Sequence, residues 1–335
     1  MITKFVWKII VFFFVAGLCN GQKISEVQNG PYMGYEPPGM IPEIFAPGII
    51  STGLNELNSV FSPDGEEFYF CVRNSFVPAI FRYKIIDDEW IGPEQMPFAT
   101  IYGEIDVSLS PDGSRLFYCS RKPVSPDNPP KEDYDIWMSQ RNNGLWNDPV
   151  HLGDAVNSDS QDFYPIMTNS GTIYFSSQRE GDGTNNIYKS KFVDGKFTLA
   201  EKLGQEINSE YREFDPFVSP DENFIIFTST RPEGFGSGDL YISFKNDDGT
   251  WTQARNMGKP INTPGSEFCP MMSYEGKYLF FTSGRRANRD FPDRVFSYDD
   301  YIKNHNSHEN TSTNIYWVDA KIIDKIKKEN ESKID

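Results

Sequence analysis

Five arginines recur at matching places along the chain: Arg73, Arg121, Arg179, Arg231 and Arg285. Each ends a short apolar-aromatic run, and a polar or acidic residue precedes each run: Glu56, Glu104, Gln161, Glu213 and Glu267. A guanidinium presents a rigid fork of donors that suits carboxylate or sulfate groups. A second concentration of reactive types lies between Arg286 and Ser312: Arg286, Arg289, Arg294, Tyr298, Tyr301, Lys303, His305 and His308. Cations beside a uronate carboxylate stabilise the enolate-like intermediate of an elimination. A base such as His305, Tyr298 or Tyr301 would take the α-proton. The candidate set is therefore His305, Tyr298 and Tyr301 for chemistry. Arg73, Arg121, Arg179, Arg231, Arg285, Arg286, Glu213 and Glu267 are the candidates for holding an acidic sugar.

A residue repeated in every unit also has a structural explanation. Each arginine would then bind a carboxylate of its own unit, such as Asp135 or Asp239, and pin a loop. Metal and nucleophile signals are thin. The chain has 3 histidines, too few for a histidine-rich metal site, and no Glu-x-x-His spacing. Asp182, Asn185 and Asn186 offer calcium-type oxygens, yet a Gly-Asp-Gly turn accounts for them, so the expected cofactor is none. No Gly-x-Ser-x-Gly elbow occurs.

Lysines and arginines number 32 against 48 aspartates and glutamates, for a net charge of -16. Such a chain is a poor general partner for nucleic acid. Aromatics at 15% exclude a disordered acidic polymer. Lys4, Lys8 and the apolar run Ile9 to Leu18 read as a signal peptide over residues 1–21, with Cys19 as a less favoured lipidation site. No other stretch reaches the length of a membrane span. Cys71, Cys119 and Cys269 read as small buried hydrophobes.

The elements that must position these residues repeat. Val60-Phe-Ser-Pro-Asp-Gly-Glu-Glu-Phe-Tyr-Phe70, Leu109-Ser-Pro-Asp-Gly-Ser-Arg-Leu-Phe-Tyr118, Met167-Thr-Asn-Ser-Gly-Thr-Ile-Tyr-Phe175, Val218-Ser-Pro-Asp-Glu-Asn-Phe-Ile-Ile-Phe227 and Met272-Ser-Tyr-Glu-Gly-Lys-Tyr-Leu-Phe-Phe281 align. Their turn positions, Gly65, Gly113, Gly171, Glu222 and Gly276, are spaced by 48, 58, 51 and 54 residues. Pro-Asp-Gly is turn chemistry, and the flanking β-branched and aromatic runs are strands. A third strand follows each arginine, from Ala79, Asp135, Asn186, Asp239 and Asn314, and then an aromatic at Trp90, Trp146, Phe197 or Trp251. Three units continue through Leu152-Gly153, Leu203-Gly204 or Met257-Gly258 to an Ile/Val-Asn pair.

Four strands per unit, repeated radially, make a β-propeller. The expected fold is all-β: a five-bladed β-propeller of four-stranded blades, the ring closed by an N-terminal strand around Ile44–Ile50. The repeats start near 58, 106, 162, 215 and 268 within a propeller spanning 41–320. Residues 22–40 read as a linker and 321–335 as a charged tail, with helical periodicity from Asp319 to Lys328.

Ser-Pro-Asp-Gly, the Phe-Thr-Ser-x-Arg strand end and the Asp-Ile-Tyr strand resemble the TolB-like, WD-type propeller repeats of exported bacterial proteins. The resemblance covers about residues 41–320. It implies a periplasmic or secreted protein. The family includes non-catalytic binding propellers, and oligogalacturonate lyases share similar repeats. Two functions follow. The first is binding and lyase- or dehydratase-type processing of acidic oligosaccharides. The alternative is a non-catalytic module for an envelope protein or peptide. A monomer is expected in either case.

Overall fold

The computed structural model describes residues 29–73, 77–285, 295–308, 310 and 312–331. The signal segment 1–21 with Cys19, and Arg286, Arg289 and Arg294, lie outside them.

The described chain forms a five-bladed β-propeller of antiparallel blades. The inner strands are Glu56–Phe61, Glu104–Leu109, Asp162–Met167, Glu213–Val218 and Glu267–Met272. Each packs against the inner strand of the next blade, and the last packs against the first, so the ring closes. The second strands are Glu67–Val72, Arg115–Ser120, Thr172–Ser177, Phe224–Ser229 and Tyr278–Ser283. The third are Ala79–Ile86, Asp135–Asn142, Asn186–Val193, Asp239–Phe244 and Asn314–Asp319.

The turn between the first two strands repeats one geometry. The residue at its end is left-handed in all five blades: Gly65, Gly113, Gly171, Glu222 and Gly276, with φ of 75, 69, 81, 58 and 74°. Only Glu222 carries a side chain there. Its carboxylate is held by the Thr168, Ser170 and Tyr174 hydroxyls at 2.9, 2.7 and 2.9 Å, which offsets the strained backbone.

The fifth blade takes its outer strand from the N-terminal side. Glu43–Ile44 pairs with Trp317 and Tyr316, as the missing fourth strand of the last repeat required. This seam has no covalent continuity, and the largest aromatic cluster fills it. Phe45 packs edge-on to Phe280 and Trp317 at 5.2 Å each. Tyr32 joins it, 5.1 Å from Phe61, and Trp90 donates to the Gly30 carbonyl at 2.9 Å. The stretch read as a linker therefore packs on the blades at its C-terminal part, because Tyr32 and Met33 supply apolar surface to the seam. The stretch read as a tail opens as helix α2, Lys321–Glu331, which buries Ile322 and Ile323. Helix α1, Tyr298–His305, lies in the long insertion of the fifth blade. Among the described residues no helix is long and apolar enough to cross a membrane.

Candidate functional site

The acidic residue that opens each inner strand is an anchor for the blade. Glu56, Glu104, Asp162, Glu213 and Glu267 each accept from the backbone N–H and the hydroxyl of the Thr or Ser four residues earlier: Thr52, Thr100, Ser158, Ser209 and Thr263. The third member is Asp162, correcting Gln161; the alignment slips there because that unit is one residue shorter in its turn. All five are buried.

Three of the five arginines close on these acids. Arg179 reaches Asp162 at 2.9 Å, Arg231 reaches Glu213 at 3.3 Å, and Arg285 approaches Glu267 at 3.8 Å. Each guanidinium also lies over the aromatic of its third strand: Tyr188 at 4.6 Å, Tyr241 at 4.9 Å and Tyr316 at 4.5 Å. Each donates to a backbone carbonyl just before the inner strand: Val156, Ile207 and Ile261. The Ile/Val-Asn pairs supply these carbonyls. The adjacent asparagines clamp the third strand of the preceding blade. Asn157, Asn208 and Asn262 accept from the N–H of Ile136, Ile187 and Leu240 at 2.7, 2.7 and 2.8 Å. They donate back to the carbonyls of the same residues at 3.1, 3.0 and 2.9 Å. Arginine and asparagine together staple one blade to the next. The carboxylate partner is the one on the first strand, not Asp135 or Asp239 on the third. Asp239 instead meets Asn256 at 2.7 Å, and Asp135 meets His151 at 2.8 Å and Lys131 at 2.6 Å.

Blades 1 and 2 lack the Ile/Val-Asn pair before their inner strands, and their arginines are released. Arg73 is exposed at the channel mouth. Arg121 lies over the Tyr134 ring at 5.0 Å. Glu104, deprived of a guanidinium, keeps Oε2 buried with no hydrogen-bond partner, and burial pushes its carboxyl up.

The channel mouth opens into a cavity of about 1210 Å³. Its rim carries Arg73, Asn185, Arg212, His305 and Asn310, and its wall is a collar formed by the second residue of each inner strand: Leu57, Ile105, Phe163, Phe214 and Phe268. At the base stand Asp106, Asp215 and Cys269. These belong to a second ring, which sequence reading missed. Every inner strand bulges after its second residue. The third residue, Asn58, Asp106, Tyr164, Asp215 or Cys269, is left-handed, with φ of 50–58°. The bulge breaks the alternation of the ladder, so strand periodicity gave no hint of where these side chains go. Tyr164 donates across the axis to the Pro270 carbonyl at 2.9 Å. Burial raises the carboxyl pKa of both Asp106 and Asp215. The charge of Asp215 raises Asp106 further, against the pull of Arg73.

The insertion of the fifth blade covers the same face. Asn310 donates to the Gly53 carbonyl at 2.9 Å and Thr313 to that of Glu56 at 3.2 Å. Gly53 is required there: a Cβ would come within 2.5 Å of the Ser307 carbonyl oxygen. Helix α1 starts in a capping box between Ser297 and Asp300. It brings only its C-terminal His305 to the cavity; Tyr298 and Tyr301 are 77% and 65% exposed and do not line it. The structure therefore separates the three residues named for chemistry. Of the eight named for binding, Arg73 alone lines the cavity; Arg121 is over Tyr134, Arg286 is outside the described residues, and the other five serve the staples. Arg212, not singled out beforehand, donates to Asn185 at 2.9 and 3.1 Å. That contact takes the oxygen expected for calcium, while Asp182 caps its own turn through Thr184. Among the described residues no three His, Cys, Asp or Glu side chains group as metal ligands. Cys71, Cys119 and Cys269 are free and buried.

No protein-family model matches the sequence, and no curated protein matches it. Solved structures share the propeller. One is a putative TolB from Agrobacterium tumefaciens, with 19% identity, a TM-score of 0.47 and 72% of each chain covered. Another is TolB from Acinetobacter baumannii, with 14% identity and a TM-score of 0.44, covering 79% of this chain and 57% of that one. A third is a gluconolactonase from Xanthomonas campestris, with 14% identity and a TM-score of 0.43, covering 67% and 68%.

Proposed function

We propose that the chain is an exported, non-catalytic binding propeller that receives a polypeptide segment at the mouth of its central channel. The observation that carries this reading is the fate of the arginines. Three are consumed inside the blade staples, which withdraws three of the five repeated guanidiniums from the mouth where an acidic oligosaccharide would need them. The cavity that remains has an apolar collar beneath a mixed polar rim, a surface suited to a peptide with one buried anchor and a hydrogen-bonded backbone. Uronate elimination ranks second, because Tyr298 and Tyr301 stand away from the cavity and, among the described residues, His305 is the one of the three candidate bases at the rim, beside Arg73 and Arg212. The N-terminal signal pattern supports export.

The test is a random-peptide display selection on the whole chain, with Phe214→Ser as the counter-target. Enriched peptides should lose binding to Phe214→Ser and weaken on Arg73→Ala. A panel of uronate oligosaccharides run alongside should give no rise in the ultraviolet absorbance of an unsaturated product. Turnover of any panel member that is abolished by His305→Gln would overturn the binding reading in favour of the lyase.

A further inference from the structure

The base of the channel holds two carboxylates that the fold does not need. Asp106 and Asp215 are 6% and 9% exposed. Their left-handed bulge position is filled by Asn58, Tyr164 and Cys269 in the other three blades, so neither the backbone geometry nor the packing demands an acid. A buried carboxylate without a cation is costly. Among the described residues, Asp106 has no ion pair and no hydrogen bond from a side chain. Asp215 receives the N–H and thiol of Cys269 at 3.3 and 3.4 Å. Both acids nevertheless line a cavity open to solvent at its other end. The collar above them already seats one organic cation: the Arg212 guanidinium rests over the Phe214 ring at 5.8 Å. A cavity with aromatic walls and two unneutralised acids at its base is built for a cation carried on an apolar stem.

We propose that Asp106 and Asp215 are the receptor for one alkylammonium group that enters end-on through the collar. This deepens the peptide-binding reading and rests on it: the group is the α-ammonium of a peptide N-terminus or the ammonium of a lysine side chain. The rim, with Arg73, Arg212 and His305, then faces the carbonyls and acidic side chains that follow the anchor.

The pair must lose protons to hold the cation, so binding strengthens as pH rises through the range where the two raised carboxyls ionise. The other charged or titratable groups facing them are Arg73, Arg212 and His305 from the rim, Tyr134, Tyr164 and the thiols of Cys71, Cys119 and Cys269. The pH series is therefore repeated in His305→Gln, which removes the imidazole from the mouth.

The experiment is calorimetric titration of the whole chain at pH 8 with 2-phenylethylammonium and with its neutral analogue 2-phenylethanol. The cation is expected to bind about tenfold or more tighter, a difference of one decade in affinity. Asp106→Asn and Asp215→Asn should each remove about that factor and leave 2-phenylethanol unchanged. Both variants relieve a desolvated acid, so their unfolding midpoints should not fall, which separates lost binding from lost structure. Equal affinity for the two probes, or indifference to both variants, overturns the proposal. Trialanine with a free or an acetylated N-terminus, and Nα-acetyl-lysine amide, distinguish the sources. Preference for the free N-terminus assigns the α-ammonium, uptake of the lysine derivative assigns the side chain, and binding of none of them overturns the inference. Selected peptides that depend on Phe214 but not on Asp106 or Asp215 would leave the channel mouth as the binding site and remove only the ammonium receptor.

Discussion

Blades 3 to 5 and blades 1 and 2 carry the same arginine at the same strand end, and the two groups use it differently. In blades 3 to 5 the guanidinium has a buried carboxylate, an aromatic face and a backbone carbonyl of the preceding blade within reach. In blades 1 and 2 the segment that would offer the carbonyl has no Ile/Val-Asn pair, and Arg73 and Arg121 turn to the channel mouth or to an aromatic ring. The seam between blades 5 and 1 is held by Ser51, whose hydroxyl contacts Ile315 N and O at 3.3 and 3.4 Å, a weaker version of the asparagine clamp. A repeated residue thus signals structure where its whole set of partners is repeated, and becomes available for binding where one partner is lost.

The largest expected effect that would break this comparison is on Arg231→Ala. It strands the Glu213 carboxylate, which is 0% exposed, and should cost about 3–5 kcal/mol in chemical denaturation, as the loss of one partner from a buried pair does. A loss as small as that from Arg121→Ala would erase the distinction between the two groups of blades. Asn208→Ala comes next. It leaves the N–H of fully buried Ile187 unsatisfied, at about 1–3 kcal/mol, while the Ile187 carbonyl keeps the Leu203 N–H at 3.0 Å. Ser51→Ala, which removes longer contacts, should cost less than half of that in the same assay.

The acid pair gives a smaller effect of opposite sign. The folded-state pKa values of Asp106 and Asp215 are raised, so the folded chain binds more protons than the unfolded chain above the ordinary carboxylate range. Their contribution to stability is complete below about pH 4 and is lost as pH rises through the folded values. Asp106→Asn should therefore raise the unfolding free energy at pH 8 by about 1–2 kcal/mol and flatten that part of the pH profile. A variant less stable at pH 8 than the parent would refute an unneutralised acid. The carboxyls of Asp64 and Asp112 are lowered by Ser62 and Ser110 and the neighbouring backbone N–H groups, against a desolvation that raises them. They act in the opposite sense and produce the acid limb, where stability falls as pH drops.

The smallest effects belong to the released residues. Arg73→Ala and Arg121→Ala should each change stability by less than about 0.5–1 kcal/mol, measured by thermal unfolding. His151→Asn should be equally mild. His151 accepts from Gly153 N–H at 3.1 Å and meets Asp135, as Asn256 accepts from Gly258 at 2.8 Å and donates to Asp239.

The sequence by itself determined the blades, their number, the turns between first and second strands and that a strand near Ile44 closes the ring, because turn chemistry and strand alternation act over a few residues and repeat; the structure sets that strand at Glu43–Ile44, at the very start of the expected Ile44–Ile50 run. It also held, without naming its meaning, the signal that sorts the arginines: the Ile/Val-Asn pair precedes Asp162, Glu213 and Glu267 but not Glu56 or Glu104. Only the tertiary structure decided which acid each guanidinium meets, since that partner lies on a strand 17 or 18 residues away. It alone placed Asp106 and Asp215 at one end of a channel, since the bulge turns one residue per inner strand out of the ladder and their meeting requires 109 residues of chain to close into a ring. It alone left Tyr298 and Tyr301 outside the cavity that His305 enters, because the facing of a short surface helix is set by the contacts at its end, here Asn310 against Gly53, and not by the residues along it.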